Sequence, residues 1–74
     1  HNRELTKALG WFNKAVEQNP NAYYILYQKA NCLARLGKKA EALETAKESI
    51  EKAKAAQNSD YVKLNEDLIR KLKG

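Results

Sequence analysis

The chain has 74 residues, of which 43% are hydrophobic and 31% charged, and this length corresponds to one small domain near the lower limit for a single hydrophobic core. Its one cysteine excludes an internal disulfide, and one cysteine with one histidine, Cys32 and His1, is too few ligands for a metal site. The formal net charge of +5 weakly favours an acidic partner.

Two helices are predicted in the first half of the chain. Apolar residues recur every three or four positions from about residue 3 to residue 18, which is the helical period. Asn19-Pro20-Asn21 ends this helix, and the side chain of Asn21 is expected to cap the next one. The second helix turns its apolar residues inward, and Gly37 is its predicted left-handed stop; these residues are Ile25, Leu26, Ala30, Leu33 and Leu36.

Two further helices are predicted in the second half. The third begins near Lys39, and its inward face is rich in alanine, which allows neighbouring helices to approach closely; this face comprises Ala42, Leu43, Ala46, Ile50 and Ala53. Ser59 or Asp60 is expected to cap the fourth helix, whose apolar stripe comprises Tyr61, Leu64, Leu68 and Leu72. No segment alternates with period two, so the sequence predicts no β-strand.

Small residues, an aromatic residue and a proline recur in these helices at a spacing typical of one family. The run Ala8-x3-Phe12-x2-Ala15-x4-Pro20 resembles the second half of a tetratricopeptide repeat. The run Leu26-x3-Ala30-x2-Leu33-x3-Gly37-x4-Ala42 resembles the first half of the next repeat, which Ala46 and Ser49 continue. Leu26 and Tyr61 are then equivalent if one residue is inserted before helix four.

This resemblance implies an all-α, tetratricopeptide-like stack of antiparallel helices within a single domain, residues 1–74. About four helices are expected: an orphan second helix, one full helical hairpin and a terminal capping helix. Because the chain opens in the middle of a repeat, we expect it to be a piece excised from a longer protein. The alternative fold is a plain four-helix bundle.

In this family the first helix of each repeat lines the face on which peptides bind. The resemblance therefore implies a partner-binding face on helices two and four, with Tyr24, Tyr27, Asn31, Arg35 and Arg70 as candidate contacts, and Val62, Glu66 and Ile69 beside Arg70. Asn31 and Arg35 are one helical turn apart, a spacing with which some relatives bind a terminal carboxylate. Among Tyr23, Tyr24 and Tyr27, we expect one or two rings to pack against helix one and at least one to face outward.

The competing hypothesis is structural and needs no external ligand. Without a preceding helix, helix one would expose an apolar surface, which could pack on the rest of a parent protein or form a homodimer. The candidate residues for self-association are Leu5, Leu9, Trp11 and Phe12.

Other classes of function find little support. The chain has no nucleophile beside a base and no glycine-rich phosphate loop, so we expect neither an enzyme nor a cofactor. Lysine and arginine are scattered among carboxylates, which argues against nucleic-acid binding. No apolar run approaches the roughly 18 residues of a membrane span. The expected partner is a protein or peptide.

Overall fold

Four α-helices follow one another along the chain in the computed structural model, which describes residues 2–74. They are α1 (Asn2–Gln18), α2 (Tyr23–Arg35), α3 (Lys39–Ala55) and α4 (Ser59–Lys73), and residues 2–74 contain no β-strand. His1, named above as a metal-ligand type, lies outside the described residues. The all-α prediction, with its four helices, is confirmed.

The helices form an open stack. Each helix packs against the next along the chain, and α2 also contacts α4. Because consecutive helices joined by short turns are antiparallel, α2 and α4 lie parallel to each other. The Cα atoms extend over 35 × 32 × 16 Å, and the short dimension fits two layers of helices about 8–10 Å apart.

The core is built around the small side chains of α3. Ala42, Ala46 and Ala53 are fully buried, and Ala46 meets Ala30 of α2 and Leu68 of α4 at the centre of the stack. Leu26 and Leu33 are the largest fully buried apolar side chains. The predicted inward faces are therefore correct at their centres, whereas the flanking Ile25, Leu36, Leu43 and Ile50 are half-buried.

Left-handed residues end α2 and α3. Gly37 has φ of 81°, and the N–H of Lys38 donates to the Leu33 carbonyl at 2.9 Å, as predicted for a glycine stop. Gln57 takes the same role after α3 with φ of 58°, and the Asn58 N–H donates to the Ala53 carbonyl at 2.8 Å. Each stop leaves a single residue before the next helix begins.

The structure corrects both predicted N-caps. Asn21 does not cap α2; the N-cap is Ala22, which has no capping side chain. Neither Ser59 nor Asp60 caps α4, because both already lie within the helix. Asn58 is the N-cap, and its Oδ1 accepts a hydrogen bond from the Tyr61 N–H at 3.2 Å. The left-handed turn at Gln57 starts α4 one residue earlier than expected.

Burial defines which residues of α2 and α4 are equivalent. Ala30 and Leu33 of α2 are 0% and 1% exposed, and Asn65 and Leu68, which lie 35 positions later, are 0% and 9% exposed. Leu26 is therefore equivalent to Tyr61, in keeping with one inserted residue before α4.

Candidate protein-binding face

All four tyrosines of the chain form one cluster at the N-terminal ends of α2 and α4. The ring of Tyr23 lies edge-to-face on Tyr24 and on Tyr61, with centroids 5.4 and 5.2 Å apart. Tyr27 meets the other side of Tyr61 at 5.7 Å. Such pairs contribute about 0.5–1.5 kcal/mol each beyond the burial of their area. Tyr23 and Tyr27 of α2 thus pack against Tyr61 of α4.

A buried hydrogen-bond network between α2, α3 and α4 holds this cluster in place. Ser49 of α3 donates its hydroxyl to the Tyr23 carbonyl at 2.7 Å and accepts from Asn65 Nδ2 of α4 at 2.9 Å. Asn65 Nδ2 also donates to the Tyr61 carbonyl at 2.8 Å, and Asn58 Nδ2 donates to the Tyr23 hydroxyl at 3.0 Å. Ser49 and Asn65 are both fully buried. The network joins three helices and fixes α4 beside α2.

Sequence reasoning missed Asn65 because it occupies a position of the helical stripe that is normally apolar. Its Oδ1 is buried and accepts no hydrogen bond within residues 2–74. A polar residue in the middle of an apolar stripe is the one signal that could have indicated the network.

The candidate residues on α2 differ in exposure. Tyr24 is 44% exposed and Arg35 is also exposed, so both are available to a partner. Tyr27 is half-buried against the central core cluster. Asn31 is half-buried, and its Nδ2 donates to the Tyr27 carbonyl at 3.4 Å, which leaves its Oδ1 as the available acceptor.

On α4 the residues of this side lie 35 positions later, as the burial pattern indicates. Val62, Glu66 and Arg70 are equivalent to Tyr27, Asn31 and Arg35. Glu66 is exposed, Val62 is half-buried, and Ile69 is half-buried against the central core cluster. The exposed Arg70 forms an ion pair with Asp67.

We define the α2–α4 face by the residues that these equivalences place on one side of the stack. The face consists of Tyr24, Tyr27, Asn31 and Arg35 on α2, with Val62, Glu66, Ile69 and Arg70 on α4.

The four candidate residues on α1 differ in exposure, and two of them, Trp11 and Phe12, line the same depression. Leu5, Leu9 and Phe12 are half-buried, and the Leu5 carbonyl accepts a hydrogen bond from the thiol of the buried Cys32 at 3.1 Å. Trp11 is 78% exposed. Within residues 2–74, α1 packs against α2 alone.

The side chains of the described residues suit contact with another molecule. Residues 2–74 hold no cluster of three or more histidine, cysteine, aspartate or glutamate side chains able to bind a metal ion. None of the helices in this part of the chain is long and apolar enough to cross a membrane. The α2–α4 face presents the ring of Tyr24, the aliphatic side chain of Val62, the amide of Asn31 and the guanidinium groups of Arg35 and Arg70.

The helices form an open stack of antiparallel pairs with a core of small residues, and equivalent positions of α2 and α4 are exposed on one side. This arrangement is that of a helical-repeat protein. Residues 11–44 match the family model for the tetratricopeptide repeat, from Trp11 in α1, through the whole of α2, into the first turns of α3. Residues 11–44 therefore correspond to a tetratricopeptide repeat, the family that the residue spacing resembles. No curated protein and no solved structure matches the chain significantly.

Tetratricopeptide repeats are, as a family, generally non-catalytic modules for protein–protein interaction. The matched segment includes the whole α2 contribution to the α2–α4 face. A protein partner is the general expectation for such a chain.

Proposed function

We propose that this chain is a non-catalytic interaction module that binds an extended segment of a partner protein along the α2–α4 face. The observation that carries the proposal is the 44% exposure of Tyr24 on α2, which runs parallel to α4 with the half-buried Val62 on the same face. Tyr24 is among the large apolar side chains that stand most open to water. Its ring is a candidate anchor for an apolar side chain of a partner.

The tyrosine cluster orients the ring of Tyr24 before a partner binds. Its ring lies edge-to-face on Tyr23, whose hydroxyl and carbonyl are both hydrogen-bonded to neighbouring helices. A ring that is already oriented loses little conformational entropy on binding, and this loss costs about 0.5–1.5 kcal/mol for a freely rotating side chain. Tyrosine also keeps its hydroxyl in water while its ring covers apolar area.

The charges of the face favour an acidic or carboxylate-bearing segment. Arg35 and Arg70 occupy equivalent positions near the C-terminal ends of α2 and α4 and are exposed. Arg70 is paired with Asp67, so Arg35 is the cation of the face that is more available to a partner. We therefore infer a partner segment with an apolar residue near Tyr24 and Val62, followed by an acidic group near Arg35.

The test is a selection from a random peptide library displayed on phage, with the immobilised chain as bait. Recovered peptides are then titrated into ¹⁵N-labelled protein. We expect apolar residues followed by acidic ones among the selected sequences, and shift changes centred on Tyr24, Asn31 and Arg35.

Two pairs of variants make the selection specific. Tyr24→Ala and Arg35→Glu should lose the selected peptides. Trp11→Ala and Lys47→Glu should retain them, because they make the same kinds of change at exposed positions elsewhere. Peptides that bind all four variants equally, shifts centred on α1, or a selection that yields no binder would each refute the proposed face.

A further inference from the structure

The middle of the α2–α4 face presents hydrogen-bond acceptors from both helices. On α2, Asn31 donates through Nδ2 to the Tyr27 carbonyl at 3.4 Å, which leaves its Oδ1 to accept a hydrogen bond. On α4, the equivalent position holds the exposed carboxylate of Glu66, which can only accept. The two helices thus place an amide oxygen and a negative charge at the same level of the face.

The charge of Glu66 is available to a cation from outside the chain. Arg70 follows it by one helical turn, a spacing at which opposite charges usually pair, but the guanidinium of Arg70 pairs with Asp67 instead. Among residues 2–74, Glu66 forms no ion pair. It differs from an exposed glutamate elsewhere, such as Glu44 on α3, because it lies on the face and beside the Asn31 acceptor.

The levels of the face are spaced like the side chains of an extended peptide. Tyr27 and Val62 form an apolar level, Asn31 and Glu66 form the acceptor level one turn later, and Arg35 follows after another turn. Four residues of helix rise by about 6 Å. Alternate residues of an extended chain lie about 6.6 Å apart and on the same side. Three alternate residues of one partner segment therefore match the three levels.

We propose that the partner segment carries a basic residue between its apolar and its acidic residue, two positions from each. This inference rests on the proposed function and specifies the ligand of the same face more closely. The basic side chain lies between α2 and α4 and donates to Asn31 Oδ1 and to the Glu66 carboxylate. Arginine suits this position better than lysine, because its planar guanidinium carries five donors and can bond two acceptors at once.

The order of charges on the face makes it selective. An acidic residue at the middle position of the segment would meet Glu66, and a basic residue at the last position would meet Arg35, so a segment with these two charges exchanged is repelled at both levels. The net charge of +5 attracts acidic peptides in general. A basic residue enriched at one position therefore reports a local contact and not the overall charge.

The experiment repeats the phage selection on three forms of the 74-residue chain. The baits are the wild type, Glu66→Lys and the matched control Glu44→Lys, which makes the same change of charge at an exposed helical position on α3. A peptide selected on the wild type is synthesised with both ends blocked, together with a copy in which glutamate replaces the basic residue. Calorimetry or ¹⁵N titration gives the affinity of each peptide for each form, and circular dichroism checks that both variants are helical.

The wild type and Glu44→Lys should both select arginine or lysine midway between the apolar and the acidic residue, whereas Glu66→Lys should select aspartate or glutamate there. The wild type should bind the basic peptide about three- to tenfold more tightly than its glutamate copy. Glu66→Lys should reverse this order. A reversal indicates direct contact, because a merely structural role of Glu66 would weaken both peptides alike.

The outcomes separate this inference from the proposed function. Selected peptides that require Tyr24 but carry no basic residue at the middle position overturn the inference and leave the binding face intact. An unchanged preference in Glu66→Lys also overturns it, since the basic residue would then contact another part of the chain. A selection that yields no binder refutes the proposed function, and this inference falls with it.

Discussion

Loss of the Ser49 hydroxyl should be among the most damaging single-atom changes in this chain. In Ser49→Ala the Tyr23 carbonyl loses its side-chain donor, and one Asn65 N–H loses its acceptor. Ser49 and Asn65 are fully buried, so water does not readily replace the missing partner. The backbone of α3 is unaffected, since alanine is the best helix former and already fills much of this face.

The expected magnitude follows from the two orphaned groups. A buried polar group without a partner costs about 1–3 kcal/mol. The other Asn65 N–H still donates to the Tyr61 carbonyl, and the Tyr23 carbonyl belongs to a helix, so we expect a loss near the middle of that range, about 2 kcal/mol. For a domain of this size, that corresponds to a fall in Tm of roughly 8–16 °C. Urea unfolding followed by circular dichroism measures the free energy of unfolding directly.

Two further variants separate the network from a general loss of a hydroxyl. Thr6→Ala also removes a hydroxyl bonded to a helical carbonyl, but Thr6 is exposed and should change stability by less than about 0.5 kcal/mol. Ser49→Ala combined with Asn65→Leu removes both partners and should recover part of the loss. Equal effects of Ser49→Ala and Thr6→Ala would refute the role of the buried network.

Three other substitutions and one labelling experiment test individual features of the fold. Gly37→Ala should destabilise the chain by about 1 kcal/mol because φ is 81° there. Gly10→Ala should stabilise it by up to about 1 kcal/mol, since no atom lies within 4 Å of the added methyl group. Urea unfolding measures both free energies, and a change of the same sign in both variants would contradict this reasoning. Gln57→Gly should raise stability by about 0.5–1 kcal/mol, because glycine adopts φ of 58° without strain, and an unchanged urea midpoint would count against it. The buried Cys32 should react slowly with a thiol reagent until urea unfolds the chain, and rapid reaction of the native protein would mean that α1 detaches readily from α2.

Much of the fold follows from the sequence because its signals are local. The helical period, Pro20 and Gly37 set the limits of the first three helices to within one or two residues. The alanine face of α3 indicated close packing, and Ala42, Ala46 and Ala53 are indeed fully buried. These features depend on residues near one another in the chain, for which spacing is direct evidence.

The sequence-based predictions failed where contacts between distant parts of the chain determine the local structure. Gln57 adopts a left-handed conformation that glycine or asparagine usually takes, so the start of α4 at Asn58 was hidden. Asn65 looked like a surface residue, although hydrogen bonds to Ser49 and Tyr61 compensate its burial.

The direct test of the central claim is the affinity of a selected peptide for matched tryptophan and tyrosine variants, measured by calorimetry. If the partner binds the α2–α4 face, Tyr24→Ala should weaken binding at least about tenfold, equivalent to about 1.4 kcal/mol, and Trp11→Ala should leave it unchanged. An affinity that survives Tyr24→Ala but falls with Trp11→Ala would contradict the account, because recognition would then lie on α1.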